Sequence, residues 1–537
     1  MEFIFGTLAT DRLRLLHHQL ARTGVQHQHL IEPLDPEPDE PVTIRVVTGG
    51  DFPAAQVACY YTTDGTRPAG SHGTATNGTA FMLKPGTLEW DTPTWAYARR
   101  WHGTLPGYPE GTTVRYQISA WTEGGTEAFA DWPEQKATTE RAAAAFFLGK
   151  DTVELPPIGS TDGNIFEYHV DTFQTPEWAK DAVIYEIFVD RFYPGDGREW
   201  TLSDNLGDFF GGTLWGVRDK LDYIEHLGVN CIWLTPIFAS PSHHGYDTTD
   251  YQNVDARFGG SEALHALVSA AHARGIRVLL DLAINHASNQ HPYFVEALSN
   301  VSSAYRDWFV FDDSELGYRT FFNVASLPII NTRNEQTRQW IFDAGAYWLR
   351  EYDVDGYRLD HANGPGADFW PGFRAACRAV KPDALIFGEV VEAPNIQRTY
   401  AGRLDGVLDF HAEDALRKTF GYGTMSEAEF ERFINHHYAY FPNDFVMPTF
   451  LDNHDMDRFL FVLDGDVSRL KRAAEAQFRL PGPPIIYYGT EVGMTQHASS
   501  RSELGLEASR LPMLWGDDQD TDLLAFYRAL IKQRTGR

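Results

Sequence analysis

From about residue 176 onward, short apolar runs alternate with stretches of helical periodicity, an arrangement that repeated βα units satisfy and few other folds do. Eight runs read as strands: AVIYEIFV (182–189), NCIWLT (230–235), IRVLLDLAI (276–284), DGYRLD (355–360), ALIFGEV (384–390), GVLDF (406–410), VMPTFLD (446–452) and PIIYYG (484–489). Near-continuous apolar runs of this length belong to parallel strands buried on both faces. Eight of them close a TIM (β/α)8 barrel. Helical stretches fall between the runs, as at 261–274 and 335–352, and a last helix is expected over 521–534. The stretch 287–334 is too long for an ordinary connection, so it reads as an inserted subdomain after the third strand.

The first part of the chain has a different period. Residues 8–23 carry Leu and His at helical spacing, which makes 1–40 an N-terminal helical extension ending at the Pro-rich break of 33–41. Alternating runs follow at 42–48, 56–63 and 113–121, with turn signals at Asp64-Gly65 and Gly124-Gly125. These predict an antiparallel β-sandwich over 41–150. A linker is expected over 151–175 and the barrel domain over 176–537, with no C-terminal β-sandwich.

Composition narrows the function. With 74 acidic and 45 basic residues the formal charge is −29, and no Lys/Arg block could follow a phosphate backbone, which argues against nucleic acid as a partner. Cys59, Cys231 and Cys377 are widely spaced, without a CxxC pair, so neither a zinc site nor a disulfide framework is expected, and Cys231 reads as core. The N-terminal stretch lacks a signal-peptide pattern and no run is long enough to span a membrane; the expectation is a cytoplasmic protein without a membrane partner. Tryptophan (14), tyrosine (24) and phenylalanine (35) make up 14% of the chain, and sugar faces stack on such rings.

The chemistry lies in four strings in fixed order at strand ends: DLAINH (281–286), GYRLDH (356–361), FGE (387–389) and LDNHD (451–455). Breaking an acetal bond needs a proton donor and a carboxylate at the anomeric carbon, ~5–5.5 Å apart in a retaining enzyme. Asp360 and Glu389 end successive strands, and neighbouring strands lie ~4.8 Å apart, so barrel geometry supplies the separation. Arg358, two residues before Asp360, shares its face and is expected to keep it ionised. Glu389 follows Phe387-Gly388 in an apolar setting expected to favour its protonated form. Asp455 is the third carboxylate, suited to sugar hydroxyls and to a cationic transition state, and His286 and His454 are donors for hydroxyls.

On these motifs the chain resembles the α-amylase superfamily, glycoside hydrolase family thirteen, over about 176–534, and its neopullulanase, cyclomaltodextrinase and maltogenic amylase members over 42–537. The resemblance implies that Asp360 is the nucleophile, Glu389 the acid/base and Asp455 the third carboxylate, and that Tyr246, in HGYDTTDYQNVDARFG (244–259), stacks on the sugar at the cleavage site. Substrate binding then falls to Tyr246, His286, Arg358 and His454, with no catalytic metal and no required cofactor. Calcium is weakly supported, because DRFYPGD (190–196) has Pro194 where the family has an asparagine ligand. Gly364 stands where neopullulanase-like enzymes carry a glutamate, which leaves transglycosylation and cyclodextrin use open. The N-terminal sandwich is similar to one that serves glycan binding and dimerisation, which implies a homodimer through that domain; Trp90, Trp95 and Trp101 are its candidate rings, read first as core or interface.

The expected function is a retaining hydrolase of α-1,4-glucosidic bonds in malto-oligosaccharides or related α-glucans, working through a covalent glycosyl-aspartate. The alternatives are a transglycosylase or sugar isomerase of the same superfamily, and a catalytically silent glycan-binding protein.

Overall fold

The computed structural model describes residues 15, 18–19, 22–27, 29–130, 163–201 and 203–536. Most of the helix expected over 8–23, residues 131–150 of the expected sandwich and 151–162 of the expected linker lie outside these residues. The chain forms two compact units: one of residues up to Gln174 with His361–Ala375 and Val390–Leu404, the other of Thr175–Asp360, Ala376–Glu389 and Asp405–Arg537.

In the first unit, Val42–Thr48 pairs antiparallel with Val25–Gln26, Ile31–Glu32 and Ala96–Leu105, and Lys84–Asp91 extends that sheet. A second antiparallel sheet is centred on Thr113–Trp121, flanked by Gln56–Thr62, Glu127–Phe129 and Phe166–His169, with Thr79–Met82 outside Gln56–Thr62. The period of two puts Val42, Ile44 and Val46 of one sheet and Val114, Tyr116, Ile118 and Ala120 of the other into one shared core. The expected linker is corrected here: Phe166–His169 is a strand whose Phe166 and Tyr168 enter that core. Trp101 is a core residue, 4% exposed, with its indole N–H on Thr48 Oγ1. Trp90 and Trp95, by contrast, are 46% and 76% exposed on a hairpin.

The second unit holds the parallel sheet. Its strands are Ile184–Ile187, Cys231–Leu234, Arg277–Ala283, Gly356–Asp360, Leu385–Gly388, Gly406–Val407 and Ile485–Tyr487, and Ile184 pairs with Ile485. The ring closes between the sixth and the last through residues 446–449, where Val446 bridges Gly406 and Thr449 bridges Pro484. The regular strand expected over 446–452 is thus reduced to single bridges. Val446 N–H donates to the Asp405 carbonyl and Val407 N–H to the Val446 carbonyl, but Pro448 has no N–H to continue that ladder. Helices Gly260–His272, Glu335–Tyr352 and Thr521–Thr535 flank the barrel strands in sequence. Ile184, Cys231, Trp233, Leu279, Leu385, Phe387, Phe450 and Ile485 form one fully apolar cluster, in which Cys231 is buried as expected.

After the third strand, residues 287–334 form helix Pro292–Ser299 and a set of isolated antiparallel bridges, Phe309 to Ile330, Phe311 to Tyr318 and Thr320 to Pro328. Phe294, Phe309 and Tyr318 pack edge to face beneath them. The bridge from His286 to Ile329 ties this excursion to the end of the third strand.

Candidate active site

The site begins with a glycine. Gly356 has φ +141°, and a Cβ there would lie 1.9 Å from the Leu385 carbonyl oxygen. Its absence lets the fourth and fifth strands pair from their first residues, Gly356 with Leu385. At the other end of that pair the Glu389 N–H donates to the Leu359 carbonyl at 2.8 Å. Asp360 and Glu389 therefore emerge side by side from hydrogen-bonded neighbours.

Arg358 shares its strand face with Asp360 and is buried completely. Its Nη1 donates to both oxygens of Asp281 (2.9 and 3.0 Å) and to Asp360 Oδ1 (3.0 Å). Its Nη2 lies 3.0 Å from Glu389 Oε2. One guanidinium thus serves three carboxylates. Asp281 comes from the third strand, directly opposite Arg358 in register, and also accepts from the Trp233 indole at 3.1 Å and the Tyr246 hydroxyl at 2.9 Å.

This geometry alters two expectations about charge. Glu389 does not sit in a purely apolar setting, because it meets the same cation as Asp360. Burial, reinforced by the charges of Asp281 and Asp455, pushes Asp360 up to about 6 against the pull of Arg358. The guanidinium still leaves it ionised at neutral pH, by a narrower margin than an undivided pair would give.

Asp455 is under the opposite influence. Its Oδ1 accepts from Arg510 Nη2 at 2.9 Å and its Oδ2 lies 2.9 Å from His454 Nε2. Burial works against ionisation, but His454 and Arg510 outweigh it and hold Asp455 well below the usual carboxylate range. His454 in turn has Nδ1 on Glu186 Oε1 at 2.6 Å. Although burial disfavours its charge, Asp455 and Glu186 raise it to about 10, so it stays an imidazolium. Both ring nitrogens donate within the protein.

Tyr246 lies parallel to His454, with ring centroids 5.4 Å apart and 12° between planes, and accepts from His454 Nε2 at 2.6 Å. His286 Nε2 donates to the Tyr246 carbonyl at 3.1 Å, and its ring stacks on Phe321 at 4.5 Å. His286 thus holds the Tyr246 backbone, and His454 holds its hydroxyl together with Asp455 and Glu186.

Exposure separates the groups that can meet a ligand from those that hold them. The side chains of Asp360, Glu389 and Asp455 are 10, 15 and 26% exposed, whereas Arg358, Asp281, Glu186 and His454 are closed to solvent. Sequence reasoning missed Glu186 and Arg510. Glu186 had a signal, a lone acid inside an apolar strand, which burial tolerates only with a partner. Arg510, in ASRLPML, had none.

The residues after the first strand do not fit calcium. Asp190 accepts from the N–H groups of Phe210 (2.9 Å) and Gly211 (3.1 Å) and pairs with the buried Arg191 guanidinium at 3.3 Å. The Pro194 carbonyl is taken by the Thr213 hydroxyl at 2.6 Å. Among the described residues no group of three or more His, Cys, Asp or Glu side chains is arranged to hold a metal ion.

The model of the alpha amylase catalytic domain matches residues 186–524. Alpha-amylase 2 of Dictyoglomus thermophilum is 42% identical over 368 residues, 68% of this chain and 65% of that protein. Neopullulanase 2 of Thermoactinomyces vulgaris is 34% identical over 430 residues, 74% and 72% of the two chains. The aligned part is thus less than two thirds of the Dictyoglomus protein. A solved cyclomaltodextrinase structure superimposes with a TM-score of 0.64 at 30% identity, covering 96% of this chain and 85% of that one. With a family match running through the barrel and every strand-end carboxylate within it, the chain belongs to the family of the α-amylase catalytic domain, a family of glycoside hydrolases.

Proposed function

We propose that this chain is a retaining glycoside hydrolase that cleaves α-1,4-glucosidic bonds in malto-oligosaccharides or related α-glucans. The observation that carries the reading is the pair Asp360 and Glu389, side by side at adjacent strand ends and each 3.0 Å from one guanidinium. In the first step Asp360 attacks the anomeric carbon while Glu389 gives its proton to the leaving glycosidic oxygen. In the second, Glu389 takes a proton from water as it opens the glycosyl-Asp360 ester. Asp455, held ionised by His454 and Arg510, accepts from ring hydroxyls and offsets the positive charge of the oxocarbenium-like transition state. Tyr246 offers the stacking face, His286 steadies its backbone, and Arg358 orients both reacting carboxylates.

The same reading takes 41–150 as a β-sandwich domain, extended by Phe166–His169, and 287–334 as a subdomain of the barrel. The exposed Trp90 and Trp95 are the surface through which a homodimer or a glucan contact is proposed. A cytoplasmic location is supported by a 36% identical relative named an intracellular maltogenic amylase of Bacillus subtilis. No described helix is long and apolar enough to cross a membrane.

The test is product mapping on maltotriose, pullulan and cyclodextrin, with the anomer followed by NMR and an excess of acceptor sugar in parallel. Net retention with free reducing products supports hydrolysis. Products of inverted configuration would overturn the mechanism, and transfer to acceptor as the main outcome would favour the transglycosylase. Asp360→Asn should lower kcat by at least ~10⁴-fold with the melting temperature preserved.

A further inference from the structure

The loop between the last barrel strand and the final helix carries Arg510, and every nitrogen of its guanidinium is committed. Nε donates to the His454 carbonyl at 2.8 Å, Nη2 to Asp455 at 2.9 Å and Nη1 to Glu507 Oε1 at 2.9 Å. The second oxygen of Glu507 accepts from His243 Nε2 at 2.9 Å and lies 3.8 Å from Arg191. His243 is buried, on the loop that follows the second strand and bears Tyr246 three residues on. The feet of the Arg510 loop are fixed as well: Ser499 Oγ and the Ser500 N–H donate to Asp457, and Arg458 Nε donates to the Ser509 carbonyl at 3.0 Å.

We propose that Glu507 is a positioning residue of the active site, a carboxylate that holds Arg510 against Asp455 and locks the Arg510 loop to the Tyr246 loop through His243. This rests on the reading of Asp360, Glu389 and Asp455 as the reacting set. Two physical effects follow from the geometry. Glu507 fixes the fork of Arg510, so Asp455 has one orientation rather than several. Its negative charge also offsets that of Arg510, which otherwise would add positive potential where the transition state is itself cationic. Burial disfavours its ionisation, but the hydrogen bond from His243 and the charge of Arg510 hold Glu507 down at about 2, so the charge persists across the working range.

The experiment is steady-state kinetics of the full chain on maltotriose for wild type, Glu507→Gln, Glu507→Asp and His243→Gln, with melting temperatures. Glu507→Gln should lower kcat about tenfold while KM changes less than about threefold, and Glu507→Asp should recover part of the loss. His243→Gln, which opens the lock from its other side, should lower kcat by a smaller factor, and it carries the test if Glu507→Gln does not fold. Wild-type kcat in Glu507→Gln or in His243→Gln overturns the proposal. So does a loss that merely follows the fraction of unfolded protein and is equal in Gln and Asp variants. A wild-type chain that cleaves no α-glucan fails the reading of the site itself and takes this proposal with it, whereas active wild type with unaffected variants removes Glu507 alone.

Discussion

Arg358 illustrates how one side chain can carry conflicting duties. A guanidinium paired with a single carboxylate depresses its pKa, but here the same buried cation also meets Asp281 and Glu389, so its pull is divided among three carboxylates. Burial then wins at Asp360, which sits at about 6. In the proposed mechanism Asp360 must be ionised to attack, so the protein would lose its competent form as pH falls through that value. On this basis kcat/KM for maltotriose should be flat or falling gently above pH 7 and drop about tenfold per pH unit well below pH 6. A profile unchanged down to pH 4 would show that Arg358 and the bound proton are shared differently. The pairing of Arg358 with Asp360 was legible in GYRLD, because a period of two is a property of any strand. Its contact with Glu389 was not, since it depends on the register between two neighbouring strands, which the apolar runs do not fix.

Among the strands, register is set by local exceptions more than by propensity. The eight apolar runs revealed the barrel because burial on both faces leaves little choice of residue, yet each strand proved shorter than its run: AVIYEIFV gave Ile184–Ile187 and GVLDF gave Gly406–Val407. Apolar side chains continue to pack beyond the last ladder hydrogen bond, so hydrophobicity overstates strand length. The seventh run failed for a visible reason, its proline, which deserved more weight than the aliphatic residues around it. The hairpin carrying Trp90 and Trp95 was not foreseen because its strands, Lys84–Asp91 and Ala96–Leu105, mix charged and aromatic residues without clean alternation. Gly356 is the exception that matters most for the site. Gly356→Ala would drive a methyl into the Leu385 backbone and force φ +141° on a residue with a Cβ. The pairing that aligns Asp360 with Glu389 should then loosen, with a loss of about 1–3 kcal/mol in urea unfolding and a larger proportional loss of kcat than of folded protein. Unchanged stability and activity would mean that the two strands tolerate a wider separation.

The net charge of −29 invites the expectation that acid would stabilise this protein by neutralising its surface. Its interior predicts the reverse over part of the range. His27, fully buried in the first unit, donates from Nδ1 to the Arg45 carbonyl at 2.8 Å and accepts the Tyr116 hydroxyl on Nε2 at 2.7 Å, an arrangement that fixes the neutral ring. Burial, with a contribution from neighbouring His29, lowers its pKa to about 3, and burial beside Arg403 lowers His29 to about 4. Unfolding returns both to about 6.5, so the unfolded chain binds more protons between that value and the folded pKa values. The stabilisation from these neutral rings is therefore complete above pH 6.5 and is lost as pH falls toward 3–4, by up to about 1.4 kcal/mol per pH unit for each histidine. Calorimetry at pH 7, 6, 5 and 4 should show the melting temperature falling across this window. Carboxylates contribute to the same slope, so the decisive quantity is a difference: His27→Asn, which cannot take up a proton there, should lower stability at pH 7 yet flatten its decline by about one proton. Parallel curves for the two proteins would mean that His27 carries a proton inside the fold.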